Sequence, residues 1–173
     1  MKNICIGLFE GETLPESLAA FKDVKLDLDF GKITTIYTLN QLDCEKVVVV
    51  GLGDVKKNIK EAFSKVEADD YLVYVNENTA YAAGFGLLYG AYSYKEMKVY
   101  DLESDSFKDE FEKGKTVARI VNHAREMSDM PANFLTPDHL VDEAKMVAEK
   151  YGMEIEVLAQ DDLEEIGAGA LLA

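Results

Sequence analysis

Tryptophan is absent from this chain, and cysteine, histidine and proline are scarce: two, two and three residues among 173. Two cysteines, Cys5 and Cys44, make neither a disulfide framework nor a four-ligand zinc site. Their place in or beside apolar segments predicts buried, reduced thiols. The histidines, His123 and His139, belong to no H-E-x-x-H pair and have no cysteine cluster near them, so they are expected as surface or partly packed side chains. No G-x-S-x-G elbow is present, which leaves serine-hydrolase chemistry without support. Basic residues are few as well, 18 against 33 acidic ones, for a formal charge of −15. Such a surface repels phosphate backbones and anionic lipid, so neither nucleic acid nor membrane is expected as a partner. No apolar run approaches the ~20 residues of a membrane span. Residues 1–9 are too short and too polar for a signal peptide, and a soluble, cytoplasmic protein is expected.

What the chain does hold is 48% apolar residues with 10% aromatics, enough for a real core. Lys2–Leu8 places Ile4, Ile6 and Leu8 on one face and predicts a first strand. Pro15–Phe21 predicts a short helix. Lys25–Phe30 alternates apolar and polar, and Gly31-Lys32 turns it into Ile33–Leu39, predicting a β-hairpin. Val47–Val50 is a continuous β-branched run, the mark of an inner strand covered on both faces, and Gly51-Leu52-Gly53 comes directly after it. Asp54 is positioned to cap a helix striped by Ile59, Ala62, Phe63 and Val66. Tyr71–Val75 reads as a strand, Asn78–Lys95 as a helix with Ala80, Ala83, Gly84, Leu87, Leu88 and Ala91 inward, and Lys98–Leu102 as a further strand. The alternation predicts an α/β fold with a mixed sheet flanked by helices.

A long helix is expected from Phe107 to about Met127, with Phe111, Ala118, Val121 and Ala124 on its inner face. It runs into Ala124–Pro137, AREMSDMPANFLTP, which holds two of the three prolines. Residues before proline avoid the helical region, so Met130 and Thr136 should be extended, with Thr136 as an N-cap and Pro137 in the first helical position. This stretch is a joint between two units. After it, Asp138–Tyr151 carries Leu140, Ala144, Val147, Ala148 and Tyr151 at helical spacing, and Gly152 is placed to end that helix. Met153, Ile155 and Val157 alternate with Glu154 and Glu156 and predict a strand; Asp161 or Asp162 can cap a last short helix through Ile166. These elements have too little partner surface for a core of their own. They are read as the start of a second domain that the chain does not contain, giving an N-terminal α/β domain over 1–106, a connecting helix over 107–129 and an opening segment over 130–173.

Two glycine patterns and several acidic pairs call for weighing. Gly51-Leu-Gly53 lies between a strand and a helix, the setting of a phosphate loop, but Lys56 stands where the third glycine of G-x-G-x-x-G belongs. Gly84, Gly86 and Gly90 have the wrong spacing for that loop and fit close helix packing better, at a propensity cost of ~1 kcal/mol each. Asp69-Asp70, Asp161-Asp162 and Glu164-Glu165 sit at element boundaries and read as caps and solvated faces.

The joint resembles the segment of the leucyl (cytosol) aminopeptidases that usually reads A-R-x-L-x-N-x-P-x-N-x-L-T-P. The matching residues are Ala124, Arg125, Pro131, Asn133, Leu135, Thr136 and Pro137, with Met127 for the usual leucine and Asp129 for the usual asparagine. Val47–Gly53 is similar to that family's strand ending in G-L-G. Gly84–Lys95 is similar to its G-x-x-L-x-x-Y-x-F/Y-x-x-K region through Tyr92, Tyr94 and Lys95. Leu163–Ala173 is similar to L-x-x-x-G-M-G-x-L-L-A, with Ala168 in place of methionine. The resemblance covers most of the chain from about residue 46.

It implies a macro-domain-like sheet, a connecting helix, and a catalytic domain whose two divalent metals, zinc or manganese, polarise the scissile carbonyl, activate a bridging water and anchor the substrate amine. The family's metal ligands and catalytic lysine and arginine lie downstream of the L-L-A segment, so no catalytic, cofactor-binding or metal-binding residue carries over to this chain. The implied partners are its own C-terminal catalytic domain, peptide substrate through that domain, and further copies in the full-length hexamer; the chain alone is expected as a monomer or weak dimer. The alternatives are a macro-domain-like module for a nucleotide or ADP-ribose near Gly51–Gly53, and a stand-alone interaction domain. Calorimetry with millimolar ADP-ribose should give no binding heat if the structural reading holds; a saturable isotherm would favour the binding module.

Overall fold

The computed structural model describes residues 2–54, 58–94 and 99–172. Two compact units divide the chain, Met1–Glu126 and Met127–Ala173. In the first, β1 (Asn3–Phe9), β2 (Ile33–Tyr37), β3 (Lys46–Gly53), β4 (Tyr71–Tyr74) and β5 (Leu102–Ser104) form one mixed sheet ordered β2-β3-β1-β4-β5. β1 is parallel to both β3 and β4, β4 is parallel to β5, and β2 is antiparallel to β3. The valine run behaves as its pattern demands. Val48 and Val50 face one core, Val47 and Val49 the other, and none is more than 3% exposed. Burying such a side chain is worth about 1.5–3 kcal/mol.

Helices α1 (Ile59–Phe63), α2 (Ala80–Gly90) and α3 (Lys108–Asp129) supply Ala62, Phe63, Ala83, Leu87 and Phe111 to the core on one face, against Cys5, Val48, Val50 and Val73. The opposite face is closed by a 3-10 turn at Glu16–Phe21, through Leu18 and Phe21, and by Leu26, Leu28, Ile36 and Cys44. β1 therefore buries both its faces, with Cys5 on the helical side and Ile6 and Leu8 on the other. Glycine sets the helix spacing. A Cβ on Gly84 would strike the Phe111 carbonyl, one on Gly114 the Tyr81 carbonyl, and those on Gly86 and Gly90 the carbonyls of Lys60 and Ser64. α2 thus meets α3 on one side and the α1 segment on the other, backbone against backbone.

Several expectations need correction. Lys25–Phe30 is not a strand: the Leu28 carbonyl accepts the Gly53 N–H, and the Asp27 N–H donates to the Thr34 hydroxyl, so no ladder forms with β2. The predicted hairpin is instead an irregular segment whose Leu26, Leu28 and Phe30 plug the two cores. β2 ends at Tyr37 because Leu39 and Asn40 turn through positive φ, 49° and 68°. The N-cap of α1 is Asn58, not Asp54, and Val66 is buried just beyond that helix rather than within it. α2 is shorter than Asn78–Lys95 at both ends, and Lys95 lies outside the described residues. The last strand is shifted from Lys98–Leu102 to Leu102–Ser104. Asp70 takes the Asp101 N–H, Tyr71 pairs with Leu102, and Val99 stands 96% exposed; Lys98 lies outside the described residues. Ala124 is exposed, and the inner stripe of α3 runs Phe111, Gly114, Lys115, Ala118.

In the second unit α4 (Pro137–Tyr151) starts and stops as its end residues dictate. Thr136 is extended (φ −84°, ψ 166°) and accepts the His139 N–H, Pro137 comes next, and Gly152 closes the helix at φ 64°. Of the predicted stripe only Ala148 is buried. Met153–Val157 is not a strand, since among the described residues it has no ladder partner. α5 (Gln160–Glu165) has Ala159 at its N-cap, whose N–H goes to the Asp162 carboxylate, and α6 (Gly169–Leu172) is the last helix of the described residues.

Gly114→Ala is expected to destabilise the protein. The gain in helix propensity is ~1 kcal/mol, whereas overpacking against a fixed backbone costs about 1–3 kcal/mol. A melting temperature that stays level or rises would refute the contact. Acid should act at the amino ends of the strands. There Asp69 accepts from the Asn3 amide (3.0 Å) and pairs with Lys46 (2.9 Å). Burial alone would raise the Asp69 pKa, but Lys46, the Asp70 N–H and Asn3 outweigh it and hold the carboxyl below its ordinary value. A depressed carboxyl stabilises above its unfolded pKa and loses that contribution as pH falls through the folded value. Asp69 is partly exposed, so Asp69→Asn should cost only about 0.5–1 kcal/mol near neutrality. That difference should vanish below the carboxylate range. Parallel urea curves from pH 7 to pH 3 check it, and a gap that persists in acid would count against it.

Candidate functional site

In a parallel α/β sheet the carboxyl ends of the strands are where a crevice forms. Here a cleft of about 470 Å³ opens at the ends of β1 and β4, lined among others by Leu8, Glu12, Tyr74, Asn76, Thr79 and Asp105. Its polar groups hold its own walls. Glu12 accepts the Phe9 N–H (2.8 Å), Asp105 the Val75 N–H (3.0 Å), the Thr79 hydroxyl the Asn76 N–H (2.9 Å), and the Asn76 side chain the N–H groups of Asn78 and Thr79. Two carboxylates in the lining oppose an anionic ligand. Among the described residues of the lining, no nucleophile stands beside a histidine or lysine base.

Gly51–Gly53, expected as a loop after the strand, is the end of β3 itself and is also engaged internally. The Gly51 N–H donates to the Lys32 carbonyl (2.8 Å) and the Gly53 N–H to that of Leu28 (3.0 Å), so these two donors are spent within the chain rather than turned toward a phosphate. A Cβ on Gly51 would strike Asp29, and Gly53 turns at φ +61°. These glycines admit the 28–32 segment. Lys56 lies outside the described residues.

The sequence singled out no side chain as catalytic, and the groups it discussed are held apart. Cys5 is fully buried, which pushes its thiol up to about 12. Burial likewise raises the pKa of Cys44. His123 sits on the exposed side of α3, and the His139 ring lies 3.3 Å from the Thr136 hydroxyl at the start of α4. Among the described residues no group of three or more His, Cys, Asp or Glu side chains could hold a metal ion. These residues therefore do not fit a two-metal centre, and no step of metal chemistry is assigned to them.

Sequence names Arg125 within the joint and on a helix face but gives it no partner; the structure pairs it with Asn122 at the end of α3. Asn122 donates to the Leu88 carbonyl (2.9 Å), and Arg125 donates to the Tyr89 carbonyl (3.0 Å) and to Asn122 (3.1 Å). The Arg125 guanidinium lies 4.4 Å from the Tyr89 ring centre and 4.1 Å from that of Tyr92. A signal existed: the last turn of α2 carries no basic residue to meet its carbonyls, so a side-chain donor from elsewhere in the chain suits it.

Comparison with known proteins places this geometry. The model of the cytosol aminopeptidase family, catalytic domain, matches residues 122–173. A probable cytosol aminopeptidase of Exiguobacterium sibiricum is 40% identical over 101 residues, covering 53% of this chain and 21% of that protein. One of Alkaliphilus oremlandii is 28% identical over 221 residues, covering 98% and 44%. The chain thus spans less than half the length of these relatives. Among solved structures, the bottromycin maturation enzyme BotP superposes with a TM-score of 0.72 at 18% identity over 96% of this chain and 41% of its own. The cytosol aminopeptidase of Coxiella burnetii gives 0.66 at 17% identity over 95% and 39%. Those two likenesses speak for the fold alone. No helix among the described residues is long and apolar enough to cross a membrane. The chain is thus similar to the leucyl, or cytosol, aminopeptidases, in sequence to their catalytic-domain model over residues 122–173 and in fold over most of its length.

Proposed function

We propose that this chain is the accessory unit, connecting helix and opening catalytic segment of a metal-dependent aminopeptidase that removes N-terminal residues from peptides. The observation that carries the reading is the match to the catalytic-domain model, which begins inside α3 at residue 122 and runs on through the joint. The proposed divisions are 1–106, 107–129 and 130–173. Two divalent metals, zinc or manganese, would be held by residues beyond these, as would the catalytic lysine and arginine; a structure of BotP in complex with Mn is in keeping with divalent metal use in this fold. The role proposed for the chain itself is structural, positioning the polypeptide beyond the joint. In the longer cytoplasmic protein its partners are the catalytic domain, peptide through that domain, and further copies of itself.

The 173-residue chain, supplied with Mn2+ or Zn2+, should release no product from a leucyl anilide, while the protein extended through its downstream segment should do so and lose the activity to a chelator. Metal-dependent turnover by the short chain would overturn the structural role. An inert extended protein would overturn the aminopeptidase reading.

A further inference from the structure

The carboxyl end of a helix leaves carbonyls without intrahelical partners, and the last turn of α2 carries no basic side chain; the Ala91 N–H donates to the Leu87 carbonyl (3.2 Å) and the Tyr92 N–H to that of Tyr89 (3.4 Å). Side-chain donors come from another helix. Asn122 and Arg125, three residues apart on one face of α3, reach the carbonyls of Leu88 and Tyr89. The Arg125 guanidinium also rests against two tyrosine rings, Tyr89 and Tyr92, at 4.4 and 4.1 Å. A slot of this kind suits a planar, delocalised cation that can stack and donate together. An ammonium would keep the charge but lose the stacking and the fork. Upstream, glycine lets α3 touch α2 closely at Gly84–Phe111 and at Gly114–Tyr81, contacts that fix spacing. The Arg125 and Asn122 bonds add what spacing cannot: one axial register, since a slide of one residue would remove both donors from their carbonyls. Arg125 is also the last-but-one residue of the first unit, about one turn before α3 ends at Asp129.

We propose that Arg125 is a positioning residue for the aminopeptidase reaction: the Tyr89–Tyr92 slot and the Tyr89 carbonyl latch α3 at a single register, and the chain enters the joint from that fixed point. The link to the reaction rests on the function proposed above; the latch itself does not.

The test has two arms. In the extended protein, Arg125→Ala and Arg125→Lys should each lower kcat on a leucyl anilide about tenfold with KM within about twofold, because orientation and not substrate contact is lost. Arg119→Ala, on the exposed side of α3, should leave both unchanged. Millimolar methylguanidinium should restore most of the rate to Arg125→Ala, and methylamine should not, as a planar slot requires. Unchanged kcat in both Arg125 variants, or equal rescue by the two amines, overturns the positioning role. In the 173-residue chain, hydrogen exchange at the amides of residues 122–129 should be about tenfold faster in Arg125→Lys and Arg125→Ala and unaltered in Arg119→Ala. Unaltered exchange in the Arg125 variants overturns the latch. Absence of anilide hydrolysis by the unsubstituted extended protein would defeat the function reading alone, and the exchange arm would still decide the latch.

Discussion

Contact between backbones at α2 is the constraint from which the first unit is built. Four glycines, Gly84, Gly86, Gly90 and Gly114, each stand where a Cβ would meet a carbonyl of a neighbouring helix or of the residue just past it. Glycine inside a helix costs ~1 kcal/mol relative to alanine, so three in the eleven residues of α2 make that helix poor on propensity. Tertiary packing has to supply the difference, and it does through Ala83, Leu87 and Phe111 in a core shared with Val48, Val50 and Val73. With the helices this close, α2 cannot move without moving α1 and α3. The sheet beneath then needs an apolar strand that can face both layers at once, which is what β3 provides.

The elements that could be read from sequence are those whose cause is local or periodic. β3 is legible because four consecutive valines admit no other comfortable state. α3 and α4 are legible because of length, and the start and stop of α4 because Thr136, Pro137 and Gly152 each act on their own backbone. The hairpin expectation failed for a corresponding reason. Lys25–Phe30 has strand alternation, but alternation fixes only which side chains point inward; where the backbone bonds go depends on Gly53 and Thr34, far along the chain or across a turn. The strand expected at Met153–Val157 failed because a strand is a property of a pair, and the described residues offer it none.

The candidate site shows the same division. That His123 would lie on the exposed side of α3 and His139 in the first turn of α4 could be read from the chain, but the Arg125 slot could not be found that way. It joins residues 36 apart, at a helix end whose last turn has no basic residue of its own. Composition gave no hint of it: in a chain of formal charge −15 an arginine is expected to meet a carboxylate, whereas this one is held by two carbonyl-type oxygens and two rings. A cation bound to a helix carboxyl end meets the negative pole of the macrodipole, so the site is electrostatically sound without an acidic partner.

Taken together, these contacts explain why the joint is recognisable although no chemistry is assigned to it. Arg125 secures the helix that enters it. The Pro131 carbonyl accepts from both Phe134 (2.8 Å) and Leu135 (3.1 Å), which winds the turn. Thr136 and Pro137 then begin α4, the hydroxyl of one serving as cap and the ring of the other fixing the first φ. Each of these residues acts on backbone direction, and backbone direction is intolerant of substitution in a way that surface charge is not. That is why the joint has a recognisable pattern of residues although no catalytic group is assigned to it.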